Sequence, residues 1–103
     1  IAEGEWSMRD LLDSGEPPTA VVCASDSLAL GALQAVRASD PAVAVVGFDD
    51  TPVAAAVGLT SVSQPLGDAA ARCVDLLTAV LDGNQQYPEP VLLQPSLVLR
   101  QTA

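Results

Sequence analysis

Apolar and polar positions fall into blocks whose period changes along the chain, and each change of period marks a new element. Ser7 precedes Met8, Arg9 and Asp10 as in a capping box, and Leu11, Leu12 and Gly15 predict a short helix closed by the glycine before Pro17-Pro18. Ala20–Ala24 is a continuous, partly β-branched apolar run, the length of a strand covered on both faces. From Ser27 to Ser39, Leu28, Ala32, Leu33, Ala35 and Val36 recur at helical spacing, with Ser25 or Asp26 placed to cap the first turn. Asp40-Pro41 breaks that helix. Ala42–Phe48 then reads as a second buried strand ending in the polar run Asp49, Asp50, Thr51 and Pro52.

Val53–Val57 predicts a short helix before Gly58, and Leu59–Ser63 a third strand interrupted by Pro65. Asp68 is placed to cap a longer helix whose apolar positions are Ala70, Val74, Leu77, Val80 and Leu81, with Gly83 as its stop. After the polar stretch Asn84–Pro90, Val91–Leu93 and Leu97–Leu99 read as short strands on either side of Gln94-Pro95. This alternation predicts an α/β fold, a mostly parallel sheet flanked by helices with right-handed crossovers. Ligands of such sheets sit beyond the carboxyl ends of the strands, which points to the loops beginning at Ser25 and Asp49.

Composition narrows the chemistry. The 103 residues carry 4 basic and 13 acidic side chains, a formal charge of −9, and half are hydrophobic while only 3% are aromatic, so the core is built from Ala, Val and Leu. The basic residues Arg9, Arg37, Arg72 and Arg100 are widely spaced and form no stripe for a phosphate backbone or an anionic membrane. No run is long enough to span a membrane or serve as an export signal, and Cys23 and Cys73 lie in apolar runs. Buried thiols in a cytoplasmic protein are expected, rather than a disulfide. The opening Ile1-Ala-Glu-Gly-Glu-Trp, without an initiator Met, reads as a piece of something longer.

Aspartates clustered at strand ends bind Mg²⁺ and accept phosphoryl groups in some α/β enzymes. The chain contains no lysine to balance that charge and no histidine, and it has neither a G-x-S-x-G elbow nor a glycine-rich phosphate loop. A binding domain without metal or cofactor is expected, and aspartate-based phosphotransfer is the weakest competitor. Asp49 either receives hydrogen bonds from ligand hydroxyls or amides, or acts as a structural acceptor. Asp50 is expected to cap the helix at Val53 and Asp26 the helix that follows it. Trp6 is either core or the one large flat surface for stacking on a ligand ring.

Five phrases together resemble the lactose-repressor and galactose-repressor family of bacterial transcription regulators. They are Gly-Glu-Trp-Ser from Gly4, Pro-Thr-Ala-Val-Val-Cys-Ala-Ser-Asp-Ser-Leu-Ala-Leu-Gly-Ala-Leu from Pro18, Val-Val-Gly-Phe-Asp-Asp from Val45, Leu-Thr-Ser-Val-Ser-Gln-Pro-Leu from Leu59, and Gln-Pro-Ser-Leu-Val-Leu-Arg-Gln-Thr from Gln94. The resemblance implies a periplasmic-binding-protein-like domain of type I, here incomplete and mainly one lobe. Residues 1–64 and 95–103 would belong to the carboxyl-terminal lobe, and residues 65–94 to the other lobe, leaving the apolar face of the Asp68–Leu81 helix without its sheet.

The same resemblance implies a small-molecule effector, by default a sugar, bound by Asp49, Ser25 and Gln64 with Trp6 stacking on it. Ser25 stands where many members carry asparagine, and Trp6 and Ser25 are closer than the family pattern by about seven residues, roughly two helical turns. A homodimer is implied through Leu28, Val53 and Ala56, which otherwise pack internally. DNA would be reached only through an amino-terminal helix-turn-helix absent from these residues. The sugar-binding subunit of a transporter, with a related Gly-Phe-Asp phrase, is the alternative function.

Overall fold

The computed structural model describes residues 1–39, 42–83 and 90–103. In chain order the elements are α1 (Ala2–Leu12), β1 (Ala20–Val22), α2 (Asp26–Ser39), β2 (Ala44–Phe48), α3 (Pro52–Val57), β3 (Thr60–Ser63), α4 (Leu66–Leu81) and β4 (Ser96–Val98). The strands form one sheet in the order β1-β2-β3-β4. β1 pairs with β2 and β2 with β3 in parallel, while β4 returns antiparallel to β3. This is the mostly parallel α/β sheet that the sequence predicts. The chain divides into two compact units, Ile1–Ser63 with Ser96–Ala103, and Gln64–Pro95.

The core of the first unit is made of Met8, Ala29, Ala32, Leu33, Ala35, Val36, Val45, Ala54 and Leu59. Small side chains fill space only if backbones come close, and α1 and α2 cross where each has a glycine. A Cβ on Gly31 would run into the Ile1 carbonyl oxygen, and one on Gly4 into that of Leu28. This contact explains why α1 begins at Ala2 rather than at Ser7. Gly4 and Met8, one turn apart, are both buried, so the first turn is part of the packed face. Glu3 and Glu5 favour the helix amino terminus, and Glu5 accepts a hydrogen bond from Arg9 Nε at 3.1 Å. The helix ends at Asp13, ahead of Gly15.

β1 is shorter than expected and is not covered on both faces. It is the first strand of the sheet, with Ala20 and Val22 exposed and Val22 77% accessible. The carboxyl-terminal residues tie β2 to β3. Thr102 Oγ1 receives the Thr60 N–H at 2.9 Å and donates to the Val45 carbonyl at 2.7 Å, while the Val45 N–H donates to the Thr102 carbonyl. Three buried backbone groups at the strand starts, the Thr60 N–H and both polar groups of Val45, are thereby satisfied.

In the second unit, α4 starts at Leu66 after Pro65, so Asp68 lies in the first turn and does not cap it. None of its residues is buried, and Val74, Leu77, Val80 and Leu81 are exposed. Cys73 on this helix is therefore exposed rather than a buried thiol, whereas Cys23 is half-buried, and both thiols are free. Val91–Leu93 forms no strand, and the return strand is Ser96–Val98. The expected break at Asp40-Pro41 and the polar residues 84–89 lie outside the described residues. Among the described residues no helix is long and apolar enough to cross a membrane.

Candidate functional site

The two loops singled out by the sequence, after β1 and after β2, are joined by one buried carboxylate. Ser25 is the residue that caps α2, its Oγ receiving the Leu28 N–H at 3.2 Å. That hydrogen bond leaves Asp26 free of the capping role expected of it. Its side chain is 2% exposed and reaches away from its own helix. Oδ2 accepts from the Thr51 N–H at 2.7 Å and the Thr51 hydroxyl at 2.8 Å, and Oδ1 accepts from the Ser61 hydroxyl at 2.6 Å. Burial raises the Asp26 pKa, but the hydrogen bonds from Ser61 and Thr51 and the Arg100 charge outweigh it. The carboxyl is held below its ordinary range.

Asp49 and Asp50 turn the chain from β2 into α3. Both have left-handed backbones, with φ of 106° and 50°. Asp tolerates this region better than most residues, yet each such residue stores strain of roughly 1–3 kcal/mol that its surroundings must hold. The holding bonds are on either side of Asp49. Its own N–H donates to the Val62 carbonyl at 2.9 Å, and the Asp50 N–H donates to Ser61 Oγ at 3.0 Å. Asp50 does not cap α3, whose cap position is Thr51. Its carboxylate instead pairs with Arg100 Nη1 at 2.8 Å, and that nitrogen also donates to the Leu59 carbonyl. Asp49 itself is exposed at the carboxyl end of β2.

Trp6 is 65% exposed on α1, which removes the core reading. Gln64 is exposed and belongs to the second unit. Leu28 is half-buried, its backbone against Gly4, whereas Val53 and Ala56 are exposed on α3. A mainly apolar groove of about 300 Å³ lies between α1, β1 and α2, and none of the four expected effector contacts lines it. Among the described residues no group of three or more His, Cys, Asp or Glu side chains is placed to hold a metal. Thr51, Ser61 and Arg100 were not singled out by sequence reasoning. Their links to Asp26 and Asp50 span up to 50 positions and leave no local pattern.

Residues 2–103 match the family model described as a periplasmic binding protein-like domain. The chain is 37% identical over 105 residues to the HTH-type transcriptional regulator CelR of Thermobifida fusca, covering 96% of this chain and 31% of that protein. Its fold superposes on a CelR–cellobiose complex with a TM-score of 0.87 at 36% identity, covering 97% of this chain and 32% of the other. It also superposes on the lac repressor dimer bound to operator and the anti-inducer ONPF, with a TM-score of 0.86 at 32% identity and coverage of 98% and 37%. The chain thus spans about a third of the length of these relatives. From the family model, the identities and the shared fold, the chain belongs to the periplasmic-binding-protein-like family, as a LacI/GalR-type effector domain.

Proposed function

We propose that this chain is the carboxyl-terminal part of the effector-binding and dimerisation domain of a LacI-type transcription regulator, and that its effector is a sugar bound through Asp49. One observation carries the reading. Asp49 stands exposed at the carboxyl end of a central strand, in a left-handed turn anchored on both sides. With the backbone anchored, the carboxylate receives two sugar hydroxyls without the cost of first ordering the loop. The CelR–cellobiose complex among the similar structures supports the choice of ligand class.

Ser25, Gln64 and Trp6 are proposed as further effector contacts. The Ser25 hydroxyl caps α2 through its oxygen, so its proton is available to a ligand. Trp6 offers an exposed indole for the C–H face of a sugar ring. Gln64–Pro95 is proposed to belong to the second lobe of the effector cleft. Leu28, Val53 and Ala56 are proposed as the dimer contact, and the exposure of Val53 and Ala56 supports their part in it. DNA binding is assigned to an amino-terminal helix-turn-helix outside these residues, because this segment has a net charge of −9.

The test is calorimetric titration of the full-length regulator with cellobiose, galactose, maltose and ribose, repeated on Asp49→Ala. Loss of a charge-assisted hydrogen bond is expected to weaken binding by about 1.5–3 kcal/mol, roughly 10- to 150-fold. Equal affinity in wild type and variant removes Asp49 from the site. No heat with any of the four sugars removes this effector class.

A further inference from the structure

The carboxylate of Asp26 controls both amides that follow Asp49. The Thr51 N–H donates to it directly. The Asp50 N–H is controlled at one remove, through Ser61. The hydroxyl of Ser61 has one proton, and that proton is given to Asp26 Oδ1 at 2.6 Å. This orients the oxygen's lone pairs outward, where one receives the Asp50 N–H at 3.0 Å. The chain makes room for the arrangement at Gly47 of β2, where any Cβ would run into Asp26 Oδ1.

The geometry points to Asp26 as the positioning residue of the effector site. From the first turn of α2 it fixes the left-handed turn that presents Asp49, while touching no ligand itself. The inference rests on Asp49 being an effector contact. Three donors converge on this carboxylate, and a carboxamide cannot accept from all of them. Asn keeps the two Thr51 donors on its oxygen only by turning its NH₂ on Ser61, which reverses that hydrogen bond, leaves the Ser61 proton without its acceptor and removes the charge that strengthens both arms. Removing Ser61 Oγ opens only the arm to Asp50.

The test compares the full-length regulator with its Asp26→Asn and Ser61→Ala variants by hydrogen exchange resolved at single amides, with no ligand present. Asp26→Asn is expected to speed exchange at Asp50 and Thr51 by about tenfold or more, while Val45 and Val46 keep their protection. Ser61→Ala is expected to speed Asp50 and leave Thr51 protected. Acceleration spread evenly through β2 overturns the inference, because it reports a purely structural role. So does an unchanged Asp50 rate in Ser61→Ala.

Cellobiose titration of the same variants supplies the second readout. Both are expected to lose affinity, by less than Asp49→Ala does. Full affinity in Asp26→Asn, where Asp49→Ala has weakened binding, overturns the positioning role. A sugar affinity indifferent to Asp49→Ala overturns the effector reading and with it the positioning role, while the exchange rates still report whether the clamp exists.

Discussion

Replacing Gly31 by alanine sets two effects of opposite sign against each other. Gly31 lies within α2, and in a helix interior alanine is favoured over glycine by about 0.8–1.0 kcal/mol. On propensity alone the variant gains stability. The position is buried, however, and the new Cβ would run into the Ile1 carbonyl oxygen, with Glu5 N at 2.6 Å and Gly4 C at 3.0 Å. All three are backbone atoms of the α1 segment, so no side chain can swing aside and the helix must move as a body. Overpacking of this kind costs roughly 1–3 kcal/mol. The shift also uncovers part of Met8, now 2% exposed, whose full burial is worth about 1.5–3 kcal/mol. After the propensity gain is subtracted, a net loss of roughly 1–3 kcal/mol is expected. Urea unfolding followed by circular dichroism measures it. Gly15→Ala serves as control, since a Cβ there meets nothing within 4 Å. A Gly31→Ala midpoint at or above wild type refutes the close crossing, and an equal loss in Gly15→Ala refutes its assignment to this contact.

Two further outcomes follow from the titratable groups. The Asp26 pKa is depressed on folding, so the stability it contributes is complete above its unfolded pKa near 3.8 and is lost as pH falls through the lower folded value. Melting temperatures taken from pH 7 down to 2.5 should fall less steeply in acid for Asp26→Asn than for wild type, and parallel curves would refute the assignment. Burial pushes the Cys23 thiol up, while Cys73 is exposed. Iodoacetamide at pH 7.5 should therefore label Cys73 first, as read by peptide mass spectrometry, and equal rates would contradict the burial of Cys23.

The fold was legible where periodicity is local. The spacing of Leu28, Ala32, Leu33 and Val36 marks α2, and the apolar run into Phe48 marks β2, because side-chain period follows backbone geometry within a few residues. α1 was misread at its start. Ala2, Gly4 and Glu5 look like a polar lead-in, and only the glycine at position 31 on a different helix makes Gly4 a contact residue. The exposure of β1 is hidden from the sequence for a related reason. A continuous apolar strand such as β1 predicts cover on two faces, but cover is supplied by other elements, and among the described residues only the Val21 face of β1 packs against the core while Ala20 and Val22 are exposed.

The candidate site divides along the same line. Asp49 is singled out because strand ends are where α/β sheets bind ligands, a rule of topology that needs only the order of elements. What holds Asp49 in place was misassigned, because capping is the commonest fate of an aspartate at a helix start and Asp26 and Asp50 both fit that pattern. Ser25 had already supplied the cap, and its hydrogen bond to the Leu28 N–H left Asp26 available for the interior. Once inside, a carboxylate needs donors from several elements to remain charged, and it found them on Thr51 and Ser61, 25 and 35 positions away. Asp50 likewise found Arg100, a residue the charge count had treated only as one of four scattered cations. In this chain the exposed acid could be read from its position along a strand. The acids that support it become intelligible only from the donors the fold brings to them.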